Sequence, residues 1–357
     1  MTATRPKSRR RWNVWIAWLA AVFLLATQQL PVFAQGSPVQ DFADKTILDF
    51  GAKLDGVTDD SAALQAYFDA AGPTGKIVIP EGGVLYLENP VTFDLQEALG
   101  FILECRSPIQ ASATLENALT IQNGYPAYIE FWVTGGGTLK DYSQEAPEGG
   151  TTALTLCALR GGEYRIQGEN YQGRVVKISK QAKGQPKTSM MRISKLSSVH
   201  CGQSMYVKAD SAFGDFEDLY VEEDVYGPII EKTHDVGISK AVCYLTGKTG
   251  FQFLNVGTSN LSNITCYGKS KSDIENGVEG PGNDIDLFRV IGTAKVTMNR
   301  CTFAYGRTGL YVAKDGGDRS LNNNYNNIKT TGNSQYGMQV VGCLDSLIEV
   351  TSDSDEV

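Results

Sequence analysis

Two aspartates in the last quarter of the chain, Asp284 and Asp286, have a spacing that suits acid–base chemistry. They flank Ile285, and side chains two positions apart on a strand point to the same face, roughly 6.6 Å apart. Inverting glycosidases use two carboxyl groups about 6.5–9.5 Å apart. Because close carboxylates repel when both are ionised, one would stay protonated as a general acid while the other acts as a base. The pair is the leading catalytic candidate, and the alternative is an ordinary solvated strand face.

The segments that carry these residues repeat along the chain. In one clear copy, 236–243 (VGISKAVC), a polar pair at 239–240 separates two alternating apolar segments, and a third segment follows at 251–253 (FQF). Corresponding positions recur every 22 or 23 residues, at Ile193, Phe216, Ile238 and Leu261. Alternation of period two is typical of strands, and the polar pair indicates a sharp bend. Three short strands per repeat predict an all-β fold, a parallel β-helix whose coils stack around one core.

A polar and aromatic stripe is predicted around the aspartates. Aligning the third strands places Gln252 and Tyr311 beside Asp286 on neighbouring coils, with Tyr206 and Gln339 further along. Rings and amides suit sugars, which present flat apolar faces and hydrogen-bonding edges. The predicted substrate-binding residues are therefore Tyr206, Gln252, Tyr311 and Gln339.

This alignment treats Ile285 and Leu287 as the inward pair of the third strand. Arg307 then lies near the start of the next third strand, where it would bind a uronate or act as the base of a lyase. The insertion 268–283 comes directly before the aspartates and would form a wall over the stripe.

The N-terminal part of the chain carries a family resemblance. Segments 47–66 (ILDFGAKLDGVTDDSAALQA) and 75–80 (GKIVIP) closely resemble the opening of the pectate-lyase-superfamily domain. Polygalacturonases, rhamnogalacturonases, mannuronan epimerases and phage tailspikes share that domain. The resemblance implies a right-handed parallel β-helix, a single solenoid of three-strand coils, with a polysaccharide as partner.

The same segment predicts a helix at the N-terminal end of the solenoid. Asp59 or Asp60 would cap it, and Leu64, Tyr67 and Phe68 would form its apolar face. A helix in this position shields core strands that would otherwise be open to water. The two aspartates are therefore interpreted as structural rather than catalytic.

The catalytic motifs of the resembled families are mostly absent from this sequence. Only the segment 283–286 (NDID) faintly resembles the Asn-Thr-Asp of polygalacturonases, and neither their Gly-His-Gly nor the Asp-Pro-His-Asp of epimerases occurs. Three hypotheses follow: an exported enzyme that cleaves polysaccharide by hydrolysis or β-elimination, a glycan-binding β-helix without chemistry, and a structural or adhesive surface protein. No cofactor is predicted except calcium if the chain is a lyase. With only His200 and His234, multi-histidine metal sites are excluded.

Residues 1–34 have the features of a secretory signal peptide. An arginine-rich start precedes the apolar run 12–26, and VFA at 32–34 suits cleavage after Ala34, although an uncleaved anchor is the alternative. The predicted β-helix domain is then 35–357, with a capping motif at 47–80 and regular coils from about 190 to 350. The predicted location is secreted, periplasmic or extracellular. Five basic residues leave with the peptide, so the net charge falls from −8 to −13, which argues against nucleic acid and anionic membranes as partners.

The remaining part of the chain has seven cysteines and no CxxC motif. The repeat places Cys243 and Cys266 in one inward column, and Cys301 in the neighbouring column of Ala241 and Ile264. We therefore expect buried free thiols that fill the core. A disulfide between neighbouring columns is the alternative.

Overall fold

A computed structural model describes residues 45–112, 115–135, 151–180, 188–208, 212–278, 284–315, 320–344 and 346–353. The predicted signal peptide, 1–34, lies outside these ranges. Within them, no helix is both long enough and apolar enough to span a bilayer.

The described ranges fold mainly into short strands, as the alternation of apolar and polar residues predicts. A 3-10 helix, Ile47–Phe50, comes first, and there are two α-helices, α1 (Ser61–Ala71) and α2 (Lys271–Glu275). The strands are β1 (Asp55–Asp59), β2 (Lys76–Ile79), β3 (Val84–Leu87), β4 (Val91–Asp94), β5 (Ile102–Cys105), β6 (Ile109–Ala111), β7 (Asn117–Gly124), β8 (Tyr128–Thr134), β9 (Thr152–Leu159), β10 (Glu163–Glu169), β11 (Arg174–Ser179), β12 (Met191–Val199), β13 (Gln203–Lys208), β14 (Ala212–Phe216), β15 (Leu219–Glu222), β16 (Ile229–Glu231), β17 (His234–Ile238), β18 (Ala241–Tyr244), β19 (Thr249–Leu254), β20 (Gly257–Ser262), β21 (Ile264–Tyr267), β22 (Asp286–Ile291), β23 (Ala294–Ala304), β24 (Thr308–Ala313), β25 (Ser320–Leu321), β26 (Asn324–Thr331), β27 (Tyr336–Val341), β28 (Cys343–Leu344) and β29 (Leu347–Asp353).

The strands form two long parallel sheets. Sheet B stacks ten strands in chain order, namely β4, β7, β9, β11, β13, β16, β19, β22, β24 and β27. The other strands form sheet A, which contains the bend between the first and second segments of each repeat. Each coil therefore leaves sheet B, passes twice through sheet A and returns one step along sheet B. This confirms the predicted fold class, the right-handed parallel β-helix.

The predicted repeat register is confirmed by the strand pairing. Ile193 lies opposite Phe216, which lies opposite Ile238, which lies opposite Leu261. All four side chains are buried. The inward column continues in the same phase through Met298 and Tyr325, which the repeat pattern also predicts.

The ladder also begins well before residue 190. Ile77 pairs with Leu103, Leu103 with Ile129, and Ile129 with Tyr164, which in turn pairs with Ile193. The early coils are longer, with 35 residues between Ile129 and Tyr164. The fixed spacing that identified the later coils is therefore absent from the earlier ones.

Helix α1 packs on the first coil through its apolar side. Leu64 and Tyr67 are fully buried, and the Phe68 ring stacks on Phe93 of β4 with centroids 4.1 Å apart. The Tyr67 hydroxyl donates to the carbonyl of Lys45 at 3.0 Å.

The two aspartates before α1, Asp59 and Asp60, accept hydrogen bonds from backbone amides near the start of the helix. Asp60 is buried at the N-cap, and its carboxylate accepts from the amides of Lys53 and Leu54 at 2.7 and 3.2 Å rather than from the helix. The carboxylate of Asp59 accepts from the first helical amide, that of Ser61, at 3.0 Å and from the amide of Glu88 at 3.1 Å. Asp59 is therefore the residue whose side chain bonds the helix start, and both aspartates have backbone partners.

The predicted cysteine columns also agree with the structure. Cys243 lies opposite Cys266, and Cys301 follows the Ile264 column because Thr265 pairs with Thr302. Six cysteines are free and buried in the described part of the chain. The side chain of the seventh, Cys343, lies outside the description.

Candidate functional site

A column of outward-facing residues, one from each strand, runs along the later part of sheet B from β11 to β27. The four predicted substrate-binding residues, Tyr206, Gln252, Tyr311 and Gln339, do share this column. In strand order it contains Lys177, Tyr206, Ile229, Gln252, Arg289, Tyr311 and Gln339.

The prediction that Asp286 stands in this column is wrong. Arg289 pairs with both Gln252 and Tyr311, whereas Asp286 pairs with Thr249 at the start of the strand. The inward pair of β22 is therefore Phe288 and Val290, three residues later than expected. The predicted pair, Ile285 and Leu287, is also buried, so apolarity alone did not distinguish the two registers.

The two candidate aspartates have very different surroundings. Asp284 precedes β22 and its side chain is 88% exposed, whereas that of Asp286 is 10% exposed. The expectation of a pair that shares an open strand face is therefore wrong. Only Asp284 offers an accessible carboxylate.

Arg307 lies where the alignment predicted, directly before β24, and it joins the two aspartates. Its Nη2 and Nε are 3.0 and 3.2 Å from Oδ1 of Asp286, and its Nη1 is 3.5 Å from Oδ1 of Asp284. Arg289 adds a longer ion pair, with Nε 3.7 Å from Oδ2 of Asp286. The guanidinium of Arg307 contacts both carboxylates and offsets their mutual repulsion. The predicted division into a general acid and a base depended on that repulsion.

Tyrosine rings in the column are paired with arginines. The guanidinium of Arg289 is 5.5 Å from the ring centroid of Tyr311, and that of Arg174 is 5.0 Å from the ring centroid of Tyr206. The Tyr206 hydroxyl donates to Glu231 at 2.7 Å. Burial raises the pKa of Glu231, but the Tyr206 hydroxyl and the Lys208 ammonium lower it by a larger amount. The net result is a pKa below the usual range for a glutamate.

Gln252 contributes less to the surface than expected. It is 9% exposed, and its amide nitrogen donates to Oγ1 of Thr249 at 2.7 Å. The amide thus bonds within its own strand.

Two arginines near the column were missed by the sequence analysis. Arg289 could have been found by aligning Phe288 with Phe251, which shifts the phase of the strand. Arg174 is 6% exposed at the start of β11, and its Nε donates to Oε1 of Gln203 at 2.7 Å. It lies in the column at the start of the sheet B strands, where its paired residues, Thr152 and Gln203, are also polar.

The insertion before β22 contains the short helix α2. Asp273 forms a capping box with Ser270, accepting from its amide at 2.9 Å and from its hydroxyl at 2.7 Å. The Ser270 hydroxyl lowers the pKa of Asp273. Residues 279–283 lie outside the described ranges, so the wall over the stripe stays a prediction.

Both histidines contact a carboxylate. Nε2 of His200 is 2.9 Å from Glu223, and Nδ1 of His234 is 2.8 Å from its sequence neighbour Asp235. The latter pair is exposed and lies on β17 in sheet A, away from the sheet B column.

Comparisons with known proteins give similarity in fold. No family model and no curated protein matches the chain. The A-module of the Azotobacter vinelandii mannuronan C-5 epimerase AlgE4 matches with a TM-score of 0.42 and 12% identity, over 87% of this chain and 99% of that one. Tailspike protein 2 of bacteriophage CBA120 has a TM-score of 0.41 and 12% identity, over 82% and 42%. The Streptococcus pneumoniae adhesin PfbA has a TM-score of 0.39 and 12% identity, over 87% and 96%.

Proposed function

We propose that this protein binds a polysaccharide along the outward column of sheet B. The observation that carries the proposal is the pairing of Arg289 with the Tyr311 ring, next to the cluster of Asp286 and Arg307. A tyrosine ring offers a flat apolar surface to a sugar, and guanidinium groups donate to its hydroxyl or carboxylate oxygens. The side chain of Arg289 is 33% exposed and its ion pair with Asp286 is long, at 3.7 Å, so its terminal nitrogens have donor capacity left.

Binding fits the geometry better than cleavage does. Asp286 is nearly buried and is held by Arg307, so it has no open path for moving a proton to a ligand. Arg307 is itself engaged by both aspartates, so its guanidinium is already occupied as a hydrogen-bond donor. Either guanidinium would favour an acidic sugar over a neutral one.

Cleavage by hydrolysis or β-elimination is the second candidate. It is favoured by the exposed carboxylate of Asp284 at 3.5 Å from Arg307. A calcium ion does not fit these groups as they stand, because both aspartates hold the arginine. Within the described ranges, no group of three or more His, Cys, Asp or Glu residues could hold a metal. No step is therefore assigned to a cation.

The proposed setting is outside the cytoplasm, on the basis of the N-terminal sequence. Sequencing the N-terminus of exported protein would find residue 35 first if the signal peptide is cut as predicted. A start at residue 1 would contradict cleavage.

Binding is tested on a panel of acidic and neutral polysaccharides, with product analysis in the same samples. We expect Tyr311→Ala and Arg289→Gln each to weaken binding of an acidic glycan at least fivefold. Tyr220→Ala is a matched control, since Tyr220 lies on sheet A and is 38% exposed. Wild-type affinity in both column variants would contradict the proposal. Ultraviolet-absorbing unsaturated products would instead favour β-elimination, and new reducing ends alone would favour hydrolysis.

A further inference from the structure

A second concave surface lies on sheet A, at the bend of the early coils. Leu103 and Ile109 on the second coil pair with Ile129 and Val133 of β8 on the third. Five residues, 104–108, therefore stand opposite only three, 130–132. The extra residues widen the bend, and Cys105 and Arg106 among them line a pocket of about 350 Å³.

A second irregularity forms the opposite side of the pocket. β12 has one more residue than β10 at the bend, because Tyr164 pairs with Ile193 but Arg165 pairs with Lys195. Lys195 is thereby displaced along its strand and lines the pocket. The volume lies within the range of ligand sites, about 300–1,000 Å³.

The floor of this pocket is apolar and its rim is polar. Cys105, Phe131 and Ile166 are buried beneath it, whereas Lys195 and Gln167 are exposed at the rim. Burial raises the pKa of Cys105 to about 12, so the thiol stays protonated and unreactive at neutral pH. The pocket is therefore built for binding rather than for thiol chemistry.

Trp132 supplies the aromatic wall. It lines the pocket, and its indole Nε1 is buried without a hydrogen-bond partner in the described ranges. A buried N–H without a partner is costly. Because this nitrogen is buried, Trp132 offers a ligand its ring rather than its N–H.

The charges around the pocket are mixed. Arg106 pairs with Glu104 at 2.8 Å, and Arg165 pairs with Glu163 at 3.4 Å. Glu130 and Lys195, by contrast, form no ion pair within the described residues. The rim thus offers a carboxylate acceptor and an ammonium donor that line the same pocket as the indole.

We propose that this pocket is a second binding site, specific for a neutral saccharide of one or two sugar rings. Sugar hydroxyls donate to Glu130 and accept from Lys195, while the ring packs against Trp132. The lining groups without an ion pair in the described residues are two carboxylates, Glu81 and Glu130, and one ammonium, Lys195, so a uronate would meet no excess of positive charge there. The site belongs to the other sheet, so it does not depend on the function proposed for the sheet B column.

The test follows the fluorescence of Trp132, taken as the difference between the full wild-type chain and Trp132→Phe. Glucose, galactose, mannose, cellobiose and glucuronic acid are titrated to about 50 mM, which exceeds the millimolar Kd of a weak site. We expect a saturable change with at least one neutral sugar. Glu130→Gln and Lys195→Met should each weaken that binding at least threefold. Isothermal titration calorimetry on the wild type repeats the measurement without any variant.

Two variants serve as controls. Lys248→Met removes an exposed lysine outside the pocket, and Tyr311→Ala alters the sheet B column. Neither should change the affinity. The proposal is overturned by three results: no saturable binding of any neutral sugar, unchanged affinity in both pocket variants, or tighter binding of glucuronic acid than of every neutral sugar.

Discussion

The carboxyl group of Asp224 lies fully buried in the turn between sheet A and sheet B. It accepts from the hydroxyl of Ser198 at 2.6 Å and from the amide of Cys201 at 2.7 Å. Burial disfavours the charged form more strongly than these two bonds favour it, and the pKa of Asp224 is raised to about 8. The group therefore enters the folded state protonated at neutral pH.

This burial predicts a pH dependence of stability. The pKa of Asp224 is higher in the folded state than in the unfolded state. Its contribution to the free energy of unfolding is therefore fully present below about pH 4 and is lost as the pH rises through about 8. We expect Asp224→Asn to flatten this decline, which is at most about 1.4 kcal/mol per pH unit for one proton. Urea unfolding from pH 4 to 9 measures it. Asp69→Asn, at an exposed site, should retain the wild-type slope, and an unchanged slope in Asp224→Asn would contradict the assignment.

The two aspartates that contact Arg307 should contribute very different amounts to stability. Asp286→Asn leaves the half-buried guanidinium of Arg307 without its close partner, so we expect the free energy of unfolding to fall by about 1–3 kcal/mol. Asp284→Asn changes an 88% exposed side chain and should cost less than about 0.5 kcal/mol. Denaturant unfolding of both variants compares them. Equal stability of the two would show that the Asp286 ion pair contributes nothing to the fold.

At the scale of elements, the phase of β22 shows where sequence reasoning reaches its limit. The segment 284–291 (DIDLFRVI) has apolar residues in both alternating phases, because Leu287 is buried outside the inward column. Hydrophobic periodicity therefore permits two registers that differ by three residues. The length of the turn before β22 determines which register forms. Hydrophobic periodicity within the strand gives no information about the length of an inserted turn.

Other elements were predictable for a clear physical reason. The column from Ile193 to Leu261 was found because the intervening turns have nearly constant length. The early coils and the pocket at Trp132 were missed because their turns vary. The unequal pairing at 104–108 and the extra residue in β12 create the pocket, so irregular strand pairing carries the concave surface.

Helix α1 predicts a large loss of stability when its buried side is charged. Leu64→Asp or Phe68→Asp places an unpaired carboxylate against the first coil, which costs several kcal/mol. Thermal unfolding should show a markedly lower midpoint for the whole solenoid, because the coils stack on one core. Ala66→Asp, on the exposed side, is the matched control. A wild-type midpoint in both buried variants would show that the helix does not shield the core.

At the scale of the whole molecule, the two sheets present different chemistry on one continuous core. Sheet B exposes a column in which arginines face tyrosines, and sheet A exposes a mixed-charge pocket beside Trp132. Rigid stacked strands hold both surfaces in fixed positions, since each coil is hydrogen-bonded to its neighbours. The two surfaces can therefore be altered separately by substitution.

The core itself contains thiols that the fold makes unreactive. Burial raises the pKa of Cys301 to about 11, and burial together with the neighbouring Cys243 raises the pKa of Cys266 well above its usual value. Disulfide formation requires a thiolate, so buried protonated thiols exchange slowly even in an oxidising compartment.

We therefore expect most of the seven cysteines to be free in the folded protein. Thiol titration of unreduced protein, unfolded in denaturant at low pH to prevent exchange, counts them. The physical reason is positional, since Cys243 and Cys266 fill one inward column and Cys301 another, where each packs as a small apolar residue. The same titration after reduction supplies the total as a control. Three disulfides with one remaining thiol would mean that oxidation joins neighbouring columns, and the core would then be held by covalent links as well as by packing.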